Sequence, residues 1–382
     1  MIPGYSGAVS RKRVLGVLAA AALIAGCSGT TAPEQAGVPP VPDRLPALVF
    51  AKNGALHISE PAGSPSRALT DGPGDTDPTV SPDGRRVAYV HRMNPEEPGG
   101  ELRVLDISSG ESRRLVDPAA LVPRFDGDQT QITTPRWSPA GDRIAFLKAT
   151  YGGGGFLLTA AADTGEVTAP PEPLFADFGY SWSPDGRRIA WSGGRSDVSP
   201  VDVSIYTVGE TSTPVARDTN ATAVSYSPDG RSVVFANSDA NSDATGSAFA
   251  NIPFELREGG IYSVGPGERP VPLLAGAEAF ADVQALPAGA VAVTMWSGDQ
   301  RRKDIAIVEN GNRRDVAETP GDAPAPAWMA TGAATLVAYI GTDADRPLLV
   351  RKDGDAPIRL DTAADAYAWG PTEAGKQTET GR

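Results

Sequence analysis

The stretch Trp182-Ser183-Pro184-Asp185-Gly186-Arg187-Arg188-Ile189-Ala190-Trp191 reads as a tight turn followed by a strand. The sequence returns to it at Ser81-Pro82-Asp83-Gly84-Arg85-Arg86-Val87-Ala88-Tyr89, at Trp137-Ser138-Pro139-Ala140-Gly141-Asp142-Arg143-Ile144-Ala145-Phe146 and at Tyr226-Ser227-Pro228-Asp229-Gly230-Arg231-Ser232-Val233-Val234-Phe235. Ser suits the first turn position, Pro pre-sets φ at the second, Asp suits the third, and Gly takes the left-handed conformation that closes a short hairpin. The run that follows is apolar on successive residues. A strand with one wet face alternates, whereas a strand covered on both faces need not. Each repeat therefore predicts an antiparallel sheet sandwiched between neighbours, which is a propeller blade.

Working outward, the turn register falls at Ser81, Ser138, Ser183 and Ser227, with degraded copies at Leu286-Pro287-Ala288-Gly289, Met329-Ala330-Thr331-Gly332 and Gly370-Pro371-Thr372. The steps are 57, 45, 44, 59, 43 and 41 residues. An independent register of outer hairpins, from Leu56–Leu69 to Leu348–Leu360, gives the same total of seven. Six or eight blades remain alternatives because the later copies are degraded. The strands at Leu48–Ala51, Ala55–Ser59 and Ser66–Thr70 have no such turn before them, so their sheet begins one strand short. Residues 366–371 are expected to supply the missing strand and close the ring. The fold expected is all-β: a seven-bladed β-propeller of four-stranded antiparallel blades, closed by its N- and C-terminal strands.

The chain has 382 residues, with 43 Gly and 35 Pro, as a turn-rich β protein requires. Its formal charge of −13 argues against nucleic acid, whose affinity comes from neutralised phosphates. A single Cys excludes an internal disulfide, and two His, His57 and His91, leave little for zinc or catalysis.

Residues 1–26 read as a lipoprotein signal peptide. Arg11-Lys12-Arg13 is the positive region, and Val14 to Gly26 is an apolar core too short to span a bilayer. It ends in Leu23-Ile24-Ala25-Gly26-Cys27, which resembles the bacterial lipobox, in which the Cys is acylated and becomes the mature N-terminus. An ordinary secretory signal would not explain why the sole Cys falls at the cleavage point. Removing the leader's three positive charges takes the net charge from −13 to −16. Residues 27–45 are expected to be the lipidated Cys27 and a flexible tether, 46–372 the propeller, and 373–382 a disordered tail.

The Pro-x-Trp-Ser-Pro-Asp-Gly-x-x-Ile-Ala-Phe repeat is similar to the propeller repeats of the TolB family and of prolyl-oligopeptidase N-terminal propellers, over roughly residues 46–372. The resemblance implies the fold; it is silent on function, because one propeller hosts many activities. TolB resembles a soluble periplasmic protein with an α/β domain before its propeller, where this sequence has a lipobox and a short linker. The peptidases carry a serine hydrolase domain after theirs, where this sequence has Glu373 to Arg382.

No Gly-x-Ser-x-Gly, His-Glu-x-x-His or phosphate-binding Gly loop is present; Gly152–Gly155 lacks the Lys and helix that phosphate needs. Asp77, Asp177, Asp282, Asp322 and Asp365 flank inner strands, and Asp77, Asp282 and Asp365 are the candidates for Ca²⁺ at a channel mouth. They are read as sitting at different offsets from the turns, so that convergence is not expected; solvated or turn-capping Asp is the plainer reading. Asp239, Asn241 and Asp243 are spaced like calcium-loop ligands, but Ala244 and Ala250 stand where that loop needs Gly and Glu.

Loop length is asymmetric. In a four-stranded meander the Ser-Pro-Asp-Gly turns share one face, and the long segments, including 117–133, 149–155, 237–259 and 296–303, share the other. Long loops on a rigid scaffold are where binding resides. Phe125, Asp126, Tyr151, Phe249, Phe254 and Trp296 are the candidate partner-binding residues. The expectation is a non-catalytic, lipid-anchored, monomeric propeller on the extracytoplasmic face of the cell membrane. It would need no cofactor and would bind an envelope protein through its long-loop face. The alternative is a receptor or enzyme with a sugar, peptide or metal site in the central channel. Ionisable groups in a deep axial pocket would favour that alternative.

Overall fold

The structure is a computed structural model that describes residues 45–94, 99–121, 130–149, 155–176, 179–194, 201–237, 259–276, 279–298, 300–331, 334–362 and 364–372. Among these, twenty-eight strands, β1 to β28, form seven four-stranded antiparallel sheets. Six blades are simple meanders. The remaining blade joins β28 (Ala366–Trp369) to β1 (Leu48–Lys52), with Leu48 opposite Trp369 and Phe50 opposite Tyr367. The C-terminal strand thus supplies the inner strand that the first three strands lack. The expected third strand over Ser66–Thr70 shrinks to Arg67–Ala68, both exposed.

The other inner strands are β4 (Asp75–Val80), β8 (Gln131–Trp137), β12 (Tyr180–Trp182), β16 (Ala221–Tyr226), β20 (Phe280–Ala285) and β24 (Ala327–Thr331). The second strands are buried on successive residues, as the unalternating sequence requires: Val87, Ala88, Tyr89 and Val90 are all buried, as are Ile144, Ala145 and Phe146. The core lies between blades. Seven hydrophobic clusters of described residues each join two neighbouring sheets, for example Leu102 and Val104 with Ile144 and Phe146.

The repeated turn is held by its Ser. Ser183 Oγ accepts the Arg188 N–H at 2.9 Å and donates to Asp185 Oδ1 at 2.6 Å, while Asp185 Oδ1 also accepts the Arg187 N–H at 3.1 Å. Ser81 with Asp83 and Ser227 with Asp229 repeat the pattern. Where Ala140 replaces Asp, Asp142 takes over as the acceptor of Ser138 Oγ at 2.8 Å. These Ser hydrogen bonds pull the Asp185 and Asp229 carboxyls below the usual range. Gly230 has φ +70°, and a Cβ there would stand 3.4 Å from Pro184 Cδ of the neighbouring turn. The turn thus favours Gly for its conformation and for close approach.

The turns also tie blade to blade. Arg86 stacks 4.8 Å from the Trp137 ring centroid, donates to the Gly141 carbonyl at 3.2 Å and pairs with Asp163 at 2.8 Å, all in the next blade. Arg188 stands over Tyr226 at 5.7 Å in the same way. Both Arg are thus inter-blade contacts. Arg86→Ala should therefore cost about 1 kcal/mol, lowering Tm by about 2 °C. Arg85→Ala, an exposed neighbour without those contacts, should melt like the wild type. Equal melting of Arg86→Ala and wild type by calorimetry would remove the staple from the account.

Candidate functional site

The inner strand of a blade has one edge without a strand partner, and its backbone groups must be satisfied otherwise. Part of this is done by a Trp set before three of the turns. Trp137 Nε1 donates to the Thr79 carbonyl at 3.0 Å, Trp182 Nε1 to Arg136 at 3.1 Å and Trp369 Nε1 to Ala327 at 2.9 Å, each reaching into the preceding blade. Elsewhere Ser serves: Ser181 Oγ accepts the Tyr226 N–H at 3.1 Å, and Ser225 Oγ accepts the Ala285 N–H at 3.0 Å. Two Tyr add further ties. The Tyr180 hydroxyl donates to the Thr134 and Ala145 carbonyls, and Tyr367 donates to Pro324 at 3.3 Å.

The edges left over line an axial channel. A cavity of ≈ 450 Å³ is bounded by β4, β8, β20, β24 and β28, with Asp77, Arg136, Asp282, Gln284, Thr79 and Thr134 among its polar side chains beside Tyr367 and Trp369. A second cavity of ≈ 240 Å³ shares Arg136, Asp282 and Gln284 and continues past Tyr180, Ser181 and Ser225. Arg136 is exposed to this space, with its guanidinium carbon 5.5 Å from the Tyr180 ring centroid.

Asp77 and Asp282 each lie four residues before the turn-start positions Ser81 and Leu286, in blades that are not neighbours. The sequence reading gave the Asp set different offsets; for these two that is corrected, and both line the larger cavity. Both stand at inner-strand β-bulges, between Thr76 and Thr79 and between Phe280 and Asp282, which aim a side chain away from the regular ladder. Asp365 is not among the cavity's lining residues. Burial raises the Asp282 carboxyl to about 6, against the opposing pull of Arg136 and Lys303. Burial also raises Asp77, opposed by Arg92, and Asp365, opposed by Arg92 and Arg346. Burial lowers Lys303, with Asp322 and Asp282 opposing. Lys303 Nζ donates to the Ala323 carbonyl at 2.8 Å and stands 4.7 Å from the Trp296 ring centroid.

Among the described residues, no three His, Cys, Asp or Glu side chains are grouped to hold a metal ion. His57 stacks on Phe50 at 5.6 Å, and His91 Nδ1 meets Asp75 Oδ1 at 2.7 Å. Of the sequence-derived contact residues, Trp296 ends β21 (Val291–Trp296) at 37% exposure. Cys27, Phe125, Asp126, Tyr151, Phe249 and Phe254 lie outside the described residues, as does Asp177. Sequence reasoning missed Arg136, Gln284 and Tyr180. Their signal was position: Arg136 and Gln284 stand two residues before a turn start and Tyr180 three, as channel-lining Thr79 and Pro78 do.

No family model matches the sequence. A curated relative, the uncharacterized peptidase YuxL of Bacillus subtilis strain 168, is 28% identical over 159 residues, 41% of this chain and 22% of its own. The chain thus covers less than a quarter of that relative's length. The β-propeller domain of the Trilobed protease from Pyrococcus furiosus, which has an open velcro topology, superposes with TM-score 0.53 at 15% identity, covering 82% of this chain and 93% of that one. TolB from Acinetobacter baumannii aligns with TM-score 0.49 at 15% identity, covering 87% of this chain and 68% of that one. The fold shared with these structures is the β-propeller. The expectation of a non-catalytic chain is contradicted: the matched relative bears a peptidase's name, and the fold is shared with a protease propeller.

The raised Asp282 carboxyl has a defined consequence. A group whose folded pKa exceeds its unfolded value favours the fold while protonated, and that contribution is lost as pH rises through about 6. Asp282→Asn should therefore melt higher than wild type at pH 7.5, by about 2 °C for each kcal/mol relieved, with the gap closing toward pH 4.5. A gap independent of pH would show that Asp282 titrates as it does in the unfolded chain.

Proposed function

We propose that this chain is an extracytoplasmic, lipid-anchored propeller that binds peptide in its axial channel, as the substrate-selecting part of a peptide-processing system. The observation that carries this is the axial cavity of ≈ 450 Å³ in which Asp77, Asp282 and Arg136 are gathered from three blades. Cavities with a few convergent polar groups of perturbed pKa are the usual place for a ligand. Peptide fits the channel because a chain of amides can hydrogen-bond backbone groups on inner-strand edges. The peptidase relative and the protease propeller support the same ligand class. Anchoring rests on Cys27 at the end of a complete lipobox, so that Cys27→Ser should leave the membrane fraction.

One observation favours a second reading, docking of an envelope protein on the long-loop face: Trp296 is large, apolar and 37% exposed there. Titrating the full chain with fluorescent hexapeptides separates the two. On the axial reading, Ala327→Trp and Ala368→Trp, which fill the cavity, weaken binding about tenfold or more, while Trp296→Ala binds as wild type does. The reverse pattern, with both cavity variants folded by circular dichroism, moves the site to the loop face. Absence of hexapeptide binding to the wild type overturns the peptide reading.

A further inference from the structure

The walls of the axial cavity are unequal in what they offer a ligand. An inner-strand edge ordinarily presents both N–H donors and C=O acceptors. Here Pro78, Pro135, Pro324 and Pro326 all line the cavity, and proline has no N–H. Pro78 and Pro135 stand on inner strands β4 and β8, and Pro324 and Pro326 in the segment before β24; each has a carbonyl and no N–H, the Pro324 carbonyl already accepting from Tyr367. The side chains lean the same way. Asp77 and Asp282 face the cavity from non-neighbouring blades at the same register, and Arg136 is the one cation among the residues lining it. Arg136 is itself placed against the Tyr180 ring, on the side that leads into the smaller cavity. With both carboxylates ionised, the lining carries net negative charge. The remaining polar lining is Thr79, Thr134 and Gln284, which accept through their oxygens and can also donate, Gln284 Nε2 reaching the Trp328 carbonyl at 3.4 Å.

Cations outside the lining act on both carboxylates, Arg92 on Asp77 and Lys303 on Asp282. Arg92 lies close enough to Asp77 and Asp365 to act on both, and Arg346 is engaged by Asp322 at 2.8 Å. Lys303 is tied to the Ala323 carbonyl and the Trp296 ring. None of the three lines the cavity.

A ligand that complements this wall brings hydrogen-bond donors and positive charge. We propose that the group entering the axial cavity is an ammonium or guanidinium, the free amino terminus or a basic side chain of the bound peptide, received between Asp77 and Asp282. The inference rests on the peptide reading above and specifies which end of the peptide the channel selects. An ammonium carries three donors and a guanidinium five, with no acceptor on either, so the carboxylates and the proline carbonyls of the wall suit them. A carboxylate terminus in the same place would meet two like charges and proline-lined edges with no N–H to offer. Arg136, stacked on Tyr180 at the passage to the smaller cavity, sets the depth to which a cation can travel, because it repels one that goes further.

The test is a set of fluorescent hexapeptides against the full chain: Arg-ended with a free amino terminus, the same sequence N-acetylated with Arg replaced by Gln, and a Glu-ended version. The expected order of affinity is basic, then neutral, then acidic, with about tenfold between basic and neutral at low salt, narrowing as salt rises. Asp77→Asn and Asp282→Asn should each weaken the basic peptide about tenfold while changing the neutral one by less than about twofold. Arg136→Gln should tighten the basic peptide. Equal binding of all three peptides, or a loss in the Asn variants that is the same for basic and neutral peptides, overturns the cation inference and leaves peptide binding intact. If no hexapeptide binds, arginine methyl ester serves as the probe. Its binding in wild type, lost in Asp77→Asn and Asp282→Asn, keeps the cation site and removes the peptide reading; its failure to bind removes both.

Discussion

The free edge of the inner strand is the constraint on which this propeller depends. Seven such edges converge on the axis, and each carries backbone groups with no strand to pair them. The chain answers with an aromatic residue set immediately before the turn, whose indole N–H crosses to the preceding blade, as Trp137, Trp182 and Trp369 do. One side chain therefore satisfies a carbonyl, fills the wedge between two sheets and fixes their spacing. Where the residue is Tyr226, the hydroxyl is buried without a hydrogen-bond partner, and Ser181 makes the inter-blade bond to its backbone N–H instead. Such a hydroxyl carries a desolvation cost of about 1–3 kcal/mol. Edge groups not consumed in this way face the channel, so the device that builds the ring also furnishes the walls of the site.

The second constraint is closure. In each meander the chain supplies its own inner strand from the residues just before the turn, but the first sheet receives its inner strand from Ala366–Trp369. Trp369 then makes the same indole bond, to Ala327, as the Trp residues of interior blades make. The last junction is therefore chemically equivalent to the others, and the ring has no seam in its inner layer.

The fold was readable because its causes are local. Ser, Pro, Asp and Gly in order dictate the turn, an unalternating apolar run dictates a strand covered on both faces, and their recurrence dictates the number of blades. The site was readable only in part, because it is made of residues far apart in sequence whose shared property is register. Asp77 and Asp282 are 205 positions apart and line one cavity because each lies four places before a turn start. The degraded turn at Leu286-Pro287-Ala288-Gly289, in which Ala288 takes φ +60°, hid that equivalence. Arg136 was hidden for a different reason: its signal, a place two residues before the Ser138 turn start, shows only once the inner strands are aligned on their turns. Arg86 and Arg188 look like its equals in the turn face, yet they serve as inter-blade contacts.

An axial site also explains why ionisable groups with raised carboxyl pKa values gather where they do. Burial that raises Asp77 and Asp282 works against the folded state at neutral pH, and a cation bound in the cavity would offset it. Hydrogen–deuterium exchange of the full chain, with and without a saturating basic hexapeptide, tests this most directly. Binding in the channel predicts slowed exchange in 75–80, 280–285 and 366–369, with 112–116 and 312–320 on the blade exteriors unchanged. Slowing confined to the hairpin around Trp296 or to the blade exteriors would contradict it.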